Sequence, residues 1–231
     1  MPLLGSAAML LSFDIEPEAI GEHDRWHTHE HFPERLGIPG FLRGTRWIAQ
    51  GPGPRYMVIY EVDGLPTLAS QAYLARLNDP TPWTRSMMPH YRGMTRGLCR
   101  VVGSIGLGQG GFAALLRYGL VDAQAGGPTR WLLDEALAAV PAMPGLTSAH
   151  LLQGAQPAAM TNEQRIRGQD RSIDWALIIT GYDSDAVDAC AQVMMGTDGL
   201  ALRGATDLSS AQYRCCHSLA HTEVDAQRIS H

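Results

Sequence analysis

The sequence predicts an α+β fold in which two tandem βαββαβ repeats supply two antiparallel sheets that pack as an eight-stranded barrel with the helices outside. Three observations lead there. Short β-branched or aromatic runs and helical patterns follow one another as strand, helix, strand, strand, helix, strand, and that order occurs twice. The corner Ile38-Pro39-Gly40-Phe41-Leu42 has a counterpart in Met143-Pro144-Gly145-Leu146-Thr147, each between a helix and a strand. A sheet with both helices on one face leaves its other face bare, and a second copy in the same chain covers it.

In the first half, AMLLSFDI (Ala8 to Ile15) is a strand, and Pro17-Glu18 opens a helix that ends near Gly37. GFLRGTRWIAQ (Gly40 to Gln50) and RYMVIYEVD (Arg55 to Asp63) form a hairpin across the turn GPGP. LPTLASQAYLARL (Leu65 to Leu77) is the second helix and LCRVVGSIGL (Leu98 to Leu107) the fourth strand. The second half repeats this with strands at Gly111 to Val121, Gly145 to Gly154, Ile173 to Tyr182 and Ala211 to His221, and helices at Thr129 to Val140 and Ser184 to Met195. Each half is thereby a ferredoxin-like split βαβ unit. The boundary falls between residues 1–107 and 108–231, with the glycine-rich 106–111 as linker. That linker also satisfies G-x-G-x-x-G, but a strand follows it where a dinucleotide site needs a helix. The polar stretch from Gln156 to Ser172 is extra in the second half and reads as an exposed loop.

At 45% apolar and 18% charged residues the chain has enough core-forming side chains for a globular protein. Its net charge of −5, with scattered basic residues, excludes a phosphate-backbone footprint, so nucleic acid is not expected as a partner. The apolar run at the N-terminus lacks a cationic lead and is far shorter than the ~20 residues a membrane span requires. Cys99, Cys190, Cys215 and Cys216 show no CxxC spacing and read as core thiols in a reducing, cytoplasmic setting.

The stretch HDRWHTHEHFPER (His23 to Arg35) holds four of the nine histidines. At 100° per residue, His23, Trp26, His27, Glu30, His31 and Glu34 share the half of a helix that carries Ile20, while Arg25, His29 and Phe32 lie opposite. Imidazoles turned toward a sheet need partners or a purpose. Three readings stay open. His23, His27 and His31 at i, i+4 spacing could share a metal with Glu30 or Glu34, though neither H-E-x-x-H nor a further ligand motif is present; haem on an axial His is a variant of this. A histidine beside a carboxylate could move protons near neutral pH. Or the stretch is a structural helix end, broken at Pro33, with Glu34 and Arg35 in surface salt bridges.

Several words resemble a family. Trp26, His31-Phe-Pro-Glu-Arg-Leu36, Ile38-Pro-Gly-Phe-Leu-Arg43, Asn78-Asp-Pro-Thr-Pro-Trp-Thr-Arg85 and Met88-Pro-His-Tyr-Arg92 are similar to EthD-like proteins of the dimeric α+β barrel superfamily. The resemblance covers residues 8 to about 105; topology alone extends it to the second half. It implies a small apolar ligand held between sheet and helices or within the barrel, and no single chemistry. The leading expectation is cofactor-independent and metal-free acid/base chemistry on a small apolar carbonyl or aromatic compound. His31 is the acid/base, Glu30 or Glu34 orients it, and His27 lies beside it. Trp26, Tyr60, Trp83, Arg85 and His90 shape the pocket, with the Asn78 to Arg92 connection as a cover. The alternative is a non-catalytic ligand-binding or assembly protein, with a homodimer as one assembly and the histidine face at its interface.

Overall fold

The computed structural model describes residues 3–120, 126–155, 161–168, 170–196 and 198–224. Val121, expected to end a strand, and Gln156 to Met160 of the expected loop lie outside the described residues. Eight strands form a closed antiparallel barrel: β1 (Ala7–Ile15), β2 (Phe41–Ala49), β3 (Tyr56–Val62), β4 (Tyr91–Gly106), β5 (Phe112–Leu120), β6 (Leu146–Gly154), β7 (Trp175–Gly181) and β8 (Ala205–Ala220). Around the ring they run β1-β3-β2-β8-β5-β7-β6-β4. Within each half the spatial order is the same, fourth, first, third, second.

Strands β4 and β8 are longer than the sequence pattern suggests, 16 residues each. The first part of β4 pairs with β1 and the last part with β6, while β8 pairs first with β5 and then with β2. Each fourth strand therefore belongs to both halves of the ring. Closure leaves no unpaired edge, which removes a site of strand-to-strand aggregation.

Among the described residues, the helices outside this ring include α1 (residues 17–36), α2 (Gln71–Asn78), α3 (Pro82–Met87), α4 (residues 127–142), α5 (Asn162–Arg167) and α6 (Ser184–Met195). Alternation along the strands divides the core in three. Met9, Leu11, Phe13, Val58 and Tyr60 face α1, and Leu116, Leu151, Leu177 and Ile179 face α4 and α6. Leu10, Trp47, Met57, Ile59, Leu115, Ile178 and Tyr213 fill the barrel. Trp47 thus packs in the bore, whereas Tyr56 and Tyr60, four residues apart and so in phase with each other, face the helix.

Helix α1 departs from the expected register. It begins as a turn at Pro17–Ala19, continues as α-helix over Ile20–Trp26, widens into a π-turn over His27–His31 and closes as α-helix over Phe32–Leu36. Across the π-turn the Phe32 N–H donates to His27 O, five residues back. One residue is added to the turn, so every side chain after it rotates by about 100°. Phe32, expected on the outer face, is instead fully buried, and Arg35 is only 1% exposed. Gly44 makes room for Phe32: a Cβ there would lie 2.2 Å from its ring. Pro33 does not break the helix, because it stands in the first turn after the π-segment, where no N–H is required. The expected surface salt bridges of Glu34 and Arg35 are therefore corrected to a buried set.

The extra stretch is corrected as well. Asn162–Arg167 is a helix capped by Thr161, and Thr161 and Glu163 are buried. It docks on the first half, where Asn162 Nδ2 donates to Asn78 O and Glu163 meets Arg35.

Candidate functional site

A cavity lies between α1 and the outer face of β1, β3 and β4, with α5 across its mouth. Apolar side chains, among them Met9, Leu11, Phe13, Val58, Met88 and Met94, meet His27, His31, Tyr60, Tyr73, Tyr91 and Arg96 on its wall. It measures about 30 Å³, room for two or three waters where one takes ~10–15 Å³. A drug-sized pocket runs to ~300 Å³ or more, so an organic ligand requires side chains or α5 to move.

Three imidazoles stack along α1. The ring centroids of His23 and His27 are 5.1 Å apart and those of His27 and His31 5.2 Å, with Trp26 4.4 Å from His31. His23 Nε2 lies 3.2 Å from the Tyr91 hydroxyl. Arg46 Nη1 donates to His27 Nδ1 at 3.4 Å, and His27 Nε2 lies 3.5 Å from Tyr60 Oη. Because a guanidinium can only donate, His27 carries its proton on Nε2 and points it at Tyr60. His31 Nδ1 is buried and has no hydrogen-bond partner among the described residues.

Burial pushes His27 and His31 well below the ordinary imidazole value; His23 and Arg46 add repulsion at His27, and Arg35 at His31. Both rings are neutral at pH 7. Burial also lifts the Tyr60 and Tyr91 phenols well above their usual range.

Neither expected carboxylate partner reaches His31. Glu30 accepts from Trp26 Nε1 at 3.1 Å and from Thr81 Oγ1 at 2.5 Å, which ties α1 to the start of α3. Glu34 accepts from Arg35 Nη1 at 3.0 Å and lies 3.6 Å from Arg76, its carboxyl raised by burial. Arg35 Nη2 donates to Glu163 Oε1 at 2.5 Å, so a buried Glu34-Arg35-Glu163 chain fastens α5 over the cavity.

The remaining expected residues scatter. Tyr60 lines the cavity and Trp26 buttresses His31 from the side. Trp83 lies outside it, donating to Glu22 and covered by Arg25. Arg85 pairs with Asp79 at the surface, and His90 with Glu16 at 2.6 Å. Arg35, Tyr73, Tyr91, Arg96 and Glu163 were not expected at the cavity. The signal for Arg35 was the proline two residues earlier, which the π-turn accommodates; Glu163 had none, being 128 residues away.

No family model matches the sequence, and no curated protein is similar to it. Solved structures are. An anthrone oxidase-like protein is 11% identical and superposes with a TM-score of 0.63, covering 96% of each chain. A proposed monooxygenase from Lactobacillus acidophilus is 11% identical, with a TM-score of 0.59 over 93% of this chain and 96% of the other. A heme-binding protein from Thermus thermophilus is 10% identical, with a TM-score of 0.50 over 99% and 98%.

The chain shares the closed α+β barrel fold of these structures. At such identities the likeness carries the fold alone. Haem does not fit at His27, His31 or His150: His27 and His31 border a space for a few waters, and His150 has both ring nitrogens held, by Ser104 at 2.9 Å and Ser148 at 3.1 Å. Among the described residues no group of three His, Cys, Asp or Glu is placed to hold a metal, and no helix is long and apolar enough to cross a membrane.

Proposed function

We propose that the cavity under α5 binds a small, mostly apolar carbonyl or phenolic compound and that His31 exchanges a proton with it without a cofactor. The carrying observation is the Nδ1 of His31, unpartnered among the described residues: a neutral base beside methionines, aliphatic residues and tyrosines, on a wall that also carries His27, Arg35, Arg96, Glu163 and Arg167. A buried imidazole nitrogen without a partner costs free energy that a ligand hydrogen bond restores. Proton transfer to His31 makes an imidazolium beside a new enolate or phenolate, and each charge offsets the burial of the other. Tyr60, oriented by His27 and Arg46, donates its hydroxyl to the developing oxyanion. The residues support one ring at most, since even that ligand displaces α5 or the methionines.

The test is α-hydrogen exchange of cyclohexanone in D₂O, followed by NMR with the protein and with His31→Asn. Protein-dependent exchange that falls at least ~100-fold in the variant supports the reading. Equal rates in both refute the base assignment.

This reading places the chemistry in residues 1–107 and treats 108–231 as a second repeat kept for architecture, apart from α5, whose Glu163, Gln164 and Arg167 line the cavity. Support comes from the recurrence of the π-turn and of the left-handed glycine 105 residues on, at Leu132–Ala136 and Gly145 as at His27–His31 and Gly40. Leu132 and Ala136 then stand where His27 and His31 do. A single chain closes the barrel, so a homodimer is not needed to complete the sheet. The histidine face packs on its own sheet, which favours the ligand-site reading over the subunit-interface one.

A further inference from the structure

We propose that the end of the barrel bore at Arg117 is a second binding site, which takes the carboxylate of a small organic acid with a short apolar body. Arg117 is on the inward face of β5, two residues beyond Leu115. It reaches across the bore to β1, where its Nη1 meets Ser12 Oγ at 3.4 Å. That is a weak bond to a neutral group, and among the described residues no carboxylate comes within 4 Å of Arg117 to pair with it. Asp174 and Asp207 line the adjoining recess of about 210 Å³, and Asp14 lies near Tyr213, yet none forms an ion pair with it. Arg171 adds a second positive charge nearby.

Arg117 faces a separate cavity of about 120 Å³, larger than the one beside His31. Its polar groups are Arg117, Ser209, Ser210 and Tyr213; Leu115 and Pro54 supply apolar wall. Tyr213 is 1% exposed, and its buried hydroxyl has no hydrogen-bond partner among the described residues. A guanidinium without an acid and a phenol without an acceptor thus stand on one cavity. Both lack the same thing, an oxyanion. A carboxylate satisfies them together, one oxygen or both on the planar guanidinium and one on the phenol, while the apolar wall holds the rest of the molecule.

Benzoate is the probe, titrated by calorimetry into the whole protein and into three variants. Saturable binding is expected in the wild type and in His31→Asn. Affinity should fall roughly tenfold to a hundredfold in Arg117→Met and by a smaller factor in Tyr213→Phe, in keeping with the loss of a charged and a neutral hydrogen bond. Arg117→Met should melt no lower than wild type without benzoate, since it removes an unpaired, half-buried charge. Absence of saturable binding at millimolar benzoate, or binding unchanged in Arg117→Met, overturns the proposal; if that variant does not fold, unchanged binding in Tyr213→Phe does so. Binding lost in His31→Asn but kept in Arg117→Met assigns benzoate to the other cavity and also overturns it.

Discussion

Acidification from pH 7 to pH 5 should destabilise this protein through imidazoles that its fold keeps neutral. His27 and His31 are held well below their ordinary value of 6.5, chiefly by burial, and His150 in the bore is lowered to about 4. The unfolded chain takes up a proton on each of these rings near pH 6.5 and the folded chain does not, so stability is full above that pH and falls below it. With 1.36 kcal/mol per pK unit, each fully suppressed imidazole costs about 1.9 kcal/mol between pH 7 and pH 5. Three give about 5 to 6 kcal/mol at most, a large part of a typical domain's stability. Glu34 works in the opposite direction, because its raised carboxyl binds a proton in the folded state first. The assay is urea denaturation at pH 5, 6 and 7 for the wild type and for a His27→Gln/His31→Gln double variant. The variant should show about 4 kcal/mol less pH dependence. If it keeps the full wild-type dependence, the two rings are not the buried neutral groups described.

Other outcomes follow from contacts. Glu163→Ala leaves Arg35 buried with Glu34 as its remaining partner; a loss of about 3 kcal/mol in denaturant melts is expected, together with faster entry of ligands as α5 loosens. Trp47→Phe should change stability by less than about 1 kcal/mol, because the indole N–H in the bore has no partner to lose among the described residues, whereas Trp47→Ala opens a void and should cost about 3 to 5 kcal/mol. Gly145→Ala should destabilise by more than ~2 kcal/mol, since φ is +87° there and a Cβ would lie 2.4 Å from Ala186 Cβ.

Much of the fold was legible. Period-two alternation located six of the eight strands closely, and the Pro-Gly corners showed where each first helix gives way to a strand. The early parts of β4 and β8 were missed because neither alternates: in β4 buried Tyr91, Met94 and Thr95 surround the exposed pair Arg92-Gly93, and in β8 these residues are exposed or half-buried. The histidine face was legible up to His31 and not beyond it. A constant 100° step has no means of registering a π-turn, so Phe32 was assigned outward and Arg35 to the surface. Glu30 was read as a partner for His31 because both fall on one helical face, yet Trp26, one turn back, and Thr81, from a distant loop, compete for it successfully. Glu163 shows the same limit from the other side: its polar, loop-like context conceals a buried ion pair formed only when the halves close.

The most direct test of the proposed site is the position of a bound phenol. A crystal structure with p-cresol should show the ring among Met9, Met88, Met94 and Leu11, its hydroxyl hydrogen-bonded to His31 Nδ1, and α5 displaced from its place over Arg35. Cresol found elsewhere with the cavity still closed, or none bound at millimolar concentration, would contradict the account.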